Sequence, residues 1–214
     1  MNQQNENDNN KNRKYEVIDR RVAQTYAKDS VASSKTALSD PYVKFFRWAT
    51  DRLGSRDGIV ALVSNNSFVG QLAFDGMRSN LLGDFTDIYH IDLHGNVRKN
   101  PKLSGTTHNV FGIRVGVGIT LAVRKGTADH CGLRHYRVGE DWRREQKLQH
   151  LNRLSTTFSV PWVNLNPDPS GLWLIPEHGE ELGALIPLGT KTAKSGALNR
   201  AETVFKIFSR GVAT

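Results

Sequence analysis

Two short polar segments follow apolar runs in the middle of the chain, and their side chains are suited to contact a polar ligand. Residues 64–68 read Ser-Asn-Asn-Ser-Phe after the apolar run 58–63, and residues 94–96 read His-Gly-Asn after the run 87–93. Ligands of open α/β sheets bind beyond the carboxyl ends of the strands. The sequence therefore predicts a binding site where these two segments meet.

Four residues of these segments are the candidate ligand contacts. Asn65, Asn66 and Asn96 carry amides, which both donate and accept hydrogen bonds. Asn65 could equally cap its strand or the helix that follows. Phe68 could stack on a planar ligand, although packing in the interior is the favoured interpretation.

The first fifteen residues form a second polar candidate. Residues 2–15 are rich in Asn, including Asn5 and Asn7, and turn basic around Arg13 before they end at Tyr15. Composition alone predicts a disordered tail, because such a segment cannot bury enough apolar surface to offset the entropy of ordering.

Other chemistry-bearing residues indicate structure rather than catalysis. Residues 39–42 read Ser-Asp-Pro-Tyr, which is typical of a helix N-cap followed by proline at the first helical position. The seven histidines lack the spacing of zinc sites. Cys131, the one cysteine, excludes an intrachain disulfide and is predicted to be a small core or surface residue rather than a nucleophile.

Alternating helical and apolar patterns predict an α/β sheet that positions these segments. Helices are expected over 16–28, 41–53, 71–82 and 140–154, and strands over 58–63, 87–93, 115–124 and 133–138. The strand 58–63 reads as covered on both faces.

Two details of these elements are also predicted from residue type. The helix 41–53 should have one buried side formed by its apolar residues Val43, Phe46, Trp48 and Leu53, with Trp48 slightly off the stripe. Gly116 and Gly118, inside the third strand, indicate close approach of another backbone or a bulge.

Several stretches, taken together and in order, resemble the catalytic domain of the large adenine-specific DNA methyltransferases of type ISP restriction-modification enzymes. They read YEVIDRRVAQTYAKDSVASSKTALSDPYVKFFRWATDRLG, GIVALVSNNSFV, FTDIYHIDLHGN and NVFGIRVGVGITLAVRK. In that family a loop rich in Asn, Glu and Asp directly follows the Asn-Pro-Pro-Tyr catalytic motif. This sequence opens with such a loop and lacks the motif, so the resemblance implies a fragment that begins just after it and is inactive alone.

The resemblance also implies a fold and a division of the chain. The fold would be the C-terminal part of a Rossmann-like class I methyltransferase sheet. Its last three strands would be present, with the final one antiparallel and between the other two, followed by a small α+β region. Residues 1–126 would form the C-terminal half of the methyltransferase catalytic domain. Residues 127–214 would form the connector to, or the start of, the target-recognition region.

The family further implies the cofactor and the roles of the candidate residues. The complete enzyme would use S-adenosylmethionine, whereas this chain alone is not expected to bind it. Its nearest Gly-rich run, 112–118, enters a strand instead of leading from a strand into a helix. Asn5 and Asn7 would bond the adenine edge or neighbouring phosphates, and Arg13 would pair with phosphate in a forked contact, with Tyr15 at the end of the same loop.

Composition agrees with a nucleic-acid partner. The net charge of +8 and the isoelectric point near 9.7 favour a polyanion, and the basic groups are scattered along the chain. Expected partners are DNA and the remaining methyltransferase/restriction polypeptide. No apolar run approaches the roughly 18–20 residues of a membrane span, and no signal core is apparent, so a cytoplasmic location is expected. A non-catalytic nucleic-acid-binding or specificity module is the alternative.

Overall fold

Five strands form one mixed sheet in the computed structural model, which describes residues 14–97, 107–126, 130–168, 171–174, 184–186, 188 and 203–205. The strands are β1 (Gly58–Asn65), β2 (Asp87–Asp92), β3 (Val117–Arg124), β4 (Gly132–Arg137) and β5 (Val163–Leu165). Their order across the sheet is β1-β3-β2-β4-β5.

Strand β3, the second strand in this order, runs antiparallel to both of its neighbours. It pairs with β1 on one side and with β2 on the other, while β2 and β4 pair in parallel and β5 returns antiparallel along β4. The predicted α/β class is confirmed, and so is the position of the third predicted strand between the first two.

Within the described residues, five α-helices accompany the sheet. They are α1 (Glu16–Val22), α2 (Pro41–Leu53), the single turn α3 (Ser67–Gly70), α4 (Asp75–Asp84) and α5 (Arg144–Leu154). The first predicted helix is present, but it ends in a π-helical turn over Ala23–Ala27. None of the helices in the described ranges is long and apolar enough to cross a membrane.

The chain divides into two compact units, Met1–Leu174 and Ile175–Thr214. In the second unit, the backbone N–H of Phe205 donates to the carbonyl of Leu188 over 2.7 Å. The strands β4 and β5 of the first unit lie beyond residue 126 and continue the same sheet. The division at residue 126 into parts of a longer enzyme stays a prediction.

Helix α2 begins and ends as its sequence predicts. The Asp40 carboxylate accepts a hydrogen bond from the Tyr42 N–H over 3.2 Å, and Pro41 takes the first helical position. Gly54, with φ of 58°, ends the helix in the left-handed region that favours glycine.

The buried side of α2 differs from the prediction at one aromatic residue. Val43 and Phe46 are buried as expected, and Leu53 packs partly against the same core. Trp48 is 52% exposed, and its ring lies 5.5 Å from the Arg52 guanidinium carbon. The prediction that Trp48 is buried is wrong, because the core side of the helix runs through positions 42, 43, 46, 47 and 50.

Removing the N-cap should destabilise the chain measurably. We expect Asp40→Ala to lower the free energy of unfolding by about 1 kcal/mol, because the Tyr42 N–H loses its acceptor. Urea denaturation followed by circular dichroism measures the change. Asp40→Asn keeps a capping oxygen and should retain most of the stability, whereas equal losses in both variants would mean that capping is not what Asp40 contributes.

The two faces of the sheet are covered unequally. On one face Val60, Ile88 and Leu133 are buried in the main core beneath α2 and α4. On the other face Ile59 is 62% exposed and Val63 is 54% exposed. The prediction that β1 is covered on both faces is therefore wrong for the described part of the chain.

Candidate functional site

A polar cleft of about 210 Å³ opens at the carboxyl ends of β1, β2 and β4. The two segments predicted to meet there do meet, since both β1 and β2 run in the same direction on either side of β3. The lining residues are Asn66, Asp92, His94, Gly95, Asn96, Arg137 and Glu140.

Asp92 connects the ends of the three strands. Its Oδ1 accepts hydrogen bonds from the Asn66 side-chain amide over 2.5 Å and from the His94 N–H over 2.8 Å. Its Oδ2 lies 3.4 Å from the Arg137 Nε. Burial raises the pKa of Asp92, but His94, His90 and Arg137 together outweigh it and hold the pKa below its usual value. The carboxylate is therefore charged near neutral pH.

A rigid turn forms the rim of the cleft. His94 and Gly95 both adopt positive φ, 54° and 84°. The buried Asn109 side chain fixes them by donating to the Gly95 and Val115 carbonyls over 3.2 and 2.7 Å. The Asn109 Oδ1 also accepts from the Phe111 N–H over 2.9 Å. This anchored loop holds the Phe111 side chain 61% exposed.

Two buried histidines each precede a cleft residue by two positions. His90 precedes Asp92 on β2, and His135 precedes Arg137 on β4. The rings of His90 and His135 stack with centroids 5.8 Å apart, and His90 Nδ1 lies 2.9 Å from the Thr120 hydroxyl. Burial lowers the pKa of His90 to about 3 and that of His135 to about 4. Both imidazoles are therefore neutral near pH 7, and they separate the cleft from the apolar core.

Gly116 and Gly118 make room for the side chains of this site. A Cβ added at Gly116 would lie 2.5 Å from the Asn66 Oδ1, and one added at Gly118 would lie 2.4 Å from the His90 Cε1. The glycines thus admit two side chains, which corrects the expectation of a close backbone or a bulge. The side chains of Asn66 and His90 fill the space above these two glycines.

A buried ammonium group supports the same region. Lys147 of α5 is fully buried and donates to the His108 carbonyl over 2.5 Å. Burial lowers its pKa, while Asp92 acts in the opposite direction. Lys147 therefore ties α5 to the loop at His108 without being exposed to solvent.

The structure brings two of the predicted contact residues into the cleft and gives others a different setting. Asn66 and Asn96 line it. Asn65 is buried, and its Oδ1 accepts from the Ser67 N–H over 2.9 Å, so it caps the turn after β1. Phe68 is fully buried and packs against Phe46, 5.2 Å between ring centroids, which matches the favoured packing interpretation.

The remaining predicted residues lie elsewhere. Tyr15 stands at the N-cap of α1 with its ring 5.3 Å from the Lys44 ammonium, and it is not among the cleft residues. Asn5, Asn7 and Arg13 fall outside the described residues.

Sequence reasoning missed Asp92, Arg137 and Glu140. Asp92 left a signal, because it is a charged residue inside the apolar run 87–93. Arg137 and Glu140 left none, since they reach the cleft only through the parallel pairing of β4 with β2.

Metal or thiol chemistry finds no support in the described part of the chain. No group of three or more His, Cys, Asp or Glu residues there is arranged to hold a metal ion. Cys131 is half-buried, and burial raises its pKa to about 11, which disfavours the reactive thiolate.

Three solved structures show where this architecture occurs in longer proteins. DrdV in a complex with DNA matches with a TM-score of 0.81 and 37% identity over 96% of this chain and 20% of its own. The ATP-dependent type ISP restriction-modification enzyme LlaBIII, bound to DNA, matches with a TM-score of 0.75 and 29% identity. The match covers 90% of this chain and 13% of LlaBIII. A nuclease-deletion mutant of the type ISP enzyme LlaGI, with a DNA substrate mimic, matches with a TM-score of 0.77 and 30% identity. The match covers 87% of this chain and 18% of that protein.

This chain thus spans a fifth or less of each of these three proteins. No protein-family model and no curated protein matches it.

Proposed function

We propose that this chain, a relative of the type ISP restriction-modification enzymes over about nine-tenths of its length, forms the DNA-facing end of the sheet in an adenine-specific DNA methyltransferase. The observation that carries the proposal is the convergence of polar side chains from β1, β2 and β4 on one cleft. In open α/β sheets this is the end at which ligands bind.

The chemistry of the cleft fits a nucleotide. The amides of Asn66 and Asn96 can donate to and accept from a base edge, and the Arg137 guanidinium can pair with a phosphate. The charged Asp92 holds Asn66 and lies close to Arg137, so these groups are ordered before a ligand arrives. The exposed Phe111 ring, on the loop that Asn109 bonds to Gly95, offers a surface on which a base could stack.

The methyl donor would be held by other parts of the proposed enzyme. S-adenosylmethionine supplies the methyl group when bound, and the space above Gly116 and Gly118 leaves no room for it, because Asn66 and His90 fill that space. Methylation of adenine also requires that the base leave the duplex. The role proposed for this chain is to receive the base and the neighbouring backbone. Asn5, Asn7 and Arg13 are proposed to act from the loop that precedes α1.

A non-catalytic nucleic-acid-binding module is the second candidate. The net charge of +8 favours it equally, since charge supplies affinity for DNA without chemistry. The two candidates differ in the complete protein. Asn66→Ala should lower the methylation rate of a methyltransferase, whereas a binding module would transfer no methyl group at all.

Replacing the cleft arginine should weaken DNA binding. We expect Arg137→Gln to reduce the affinity for duplex DNA about tenfold and to lower the salt dependence of log K by about one unit, because one phosphate contact is lost. Fluorescence anisotropy of a labelled duplex over a range of salt concentrations measures both quantities.

Arg56→Gln is the matched control, because Arg56 precedes β1 and therefore lies at the opposite end of the strands. It should change affinity much less. Equal effects of the two substitutions would place DNA binding away from the cleft.

A further inference from the structure

One buried arginine outside the cleft connects two distant segments of the chain. Arg78 of α4 is fully buried. Its Nη1 donates to the carbonyls of Phe68 and Gln71, and its Nε donates to the carbonyl of Gly171, each over 2.7 Å. All three acceptors belong to the backbone.

Burying a charged guanidinium costs desolvation free energy, which the contacts of the side chain must offset. Arginine is rarely fully buried without a carboxylate partner, because its charge loses water. The Arg78 Nη2 finds no hydrogen-bond partner within the described ranges, and burial lowers the pKa of the guanidinium, although the carboxylates of Asp75 and Asp168 act in the opposite direction without a hydrogen bond to it. A leucine or methionine would fill the same volume without this desolvation cost, so packing alone does not account for an arginine here.

The first segment that Arg78 contacts contains Asn66, one of the residues that line the cleft. Phe68 and Gln71 belong to the turn 66–71, which begins at Asn66. The Asn66 N–H donates to the Gly116 carbonyl over 3.1 Å, and its side chain donates to Asp92. A shift of this turn would therefore move the Asn66 amide out of reach of the carboxylate.

The second segment, residues 171–174, is bonded to Asp168 and contains a buried indole. The Leu172 N–H donates to the Asp168 carboxylate over 2.8 Å, and Gly171 adopts φ of 75°, which leaves its carbonyl to accept from Arg78. Trp173 is buried, with its ring 5.8 Å from that of Phe68. The same turn 66–71 is thus held twice, through its backbone by Arg78 and through Phe68 by Trp173.

We propose that Arg78 is a positioning residue through which residues 171–174 set the placement of the turn 66–71, and with it Asn66 in the cleft. The consequence for DNA rests on the function proposed above. The geometry makes the cleft dependent on residues about eighty positions beyond the end of β2, in a segment that no strand of the sheet includes.

Amide hydrogen exchange tests the placement without DNA. We expect Arg78→Lys to raise exchange in residues 66–71 at least tenfold while amides of β2 and β3 keep their protection, because lysine cannot reach all three carbonyls. Trp173→Leu should have the same local effect. Leu81→Ala is the control, because it removes buried volume from the same helix and leaves the three hydrogen bonds of Arg78 in place.

Duplex affinity then tests the consequence. Arg78→Lys should bind labelled duplex DNA about fivefold more weakly than the unaltered chain, and Leu81→Ala should bind it equally well. The proposal is overturned if Arg78→Lys and Leu81→Ala give the same exchange in residues 66–71. An unaltered chain that does not bind duplex would remove the proposed function, while the exchange data would still decide the role of Arg78.

Discussion

Adding a single methyl group at Gly118 is expected to destabilise the chain by about 3 kcal/mol and to disturb the cleft. The new Cβ would lie 2.4 Å from the His90 Cε1, 2.6 Å from its Nε2 and 3.2 Å from the Asn66 Cβ. His90 cannot retreat easily, because it is buried and its Nδ1 is bonded to Thr120. Urea denaturation of Gly118→Ala gives the loss in free energy, and DNA anisotropy reports the accompanying displacement of Asn66.

Gly83→Ala provides the control with the opposite sign. Gly83 lies in α4, and a Cβ added there would have no atom within 4 Å. That substitution should stabilise the chain by about 0.5–1 kcal/mol, because alanine has the higher helix propensity. If Gly118→Ala were as stable as the unaltered chain, the His90 ring could not be fixed above Gly118.

Mild acid is expected to unfold the chain well before its carboxylates titrate. The pKa of His90 is lowered to about 3 and that of His135 to about 4, in each case chiefly by burial, from an ordinary value of 6.5. As the pH falls, these two histidines therefore take up protons at a higher pH in the unfolded chain than in the folded chain. Stability is full above pH 6.5 and falls as the pH is lowered toward 4 and 3, with a slope that approaches about 2.7 kcal/mol per pH unit for the two groups.

Urea midpoints at pH 7.5, 6.0 and 5.0 measure this slope. His135→Gln should remove roughly one proton from it, so that the variant loses less stability between pH 6.5 and 4.5 than the unaltered chain. Leu133→Val, two residues earlier on β4, should lower stability by a similar amount at every pH. A slope unchanged by His135→Gln would mean that another group takes up the proton.

The elements could be predicted because their signals are local. Asp40, Pro41 and Gly54 define α2 within one stretch of sequence, and apolar runs with polar ends define β1 and β2. The exposure of Trp48 could not be predicted, since one turn of helix leaves its direction ambiguous until the neighbouring layer is known. The order of the strands came from the family resemblance and is confirmed.

The candidate site was only half predictable for the same reason. Asn66 and Asn96 could be placed because each lies within four residues of the end of a strand. Arg137 and Glu140 could not, since nothing local says that β4 pairs in parallel with β2. The role of Gly118 was also hidden, because a small residue gives no indication of which side chain occupies the space it leaves.

The pairing of the sheet sets an order of events during synthesis. Gly58 of β1 pairs with Arg124 of β3, and Asn65 pairs with Val117. Each residue of β1 is therefore synthesised more than fifty residues before its partner on β3. At roughly 5–20 residues per second, this delay is on the order of 3–10 s. Throughout it, the apolar residues of β1 remain available to wrong partners. The ribosome's pace between residues 65 and 124 should therefore decide how much of the chain reaches its native sheet.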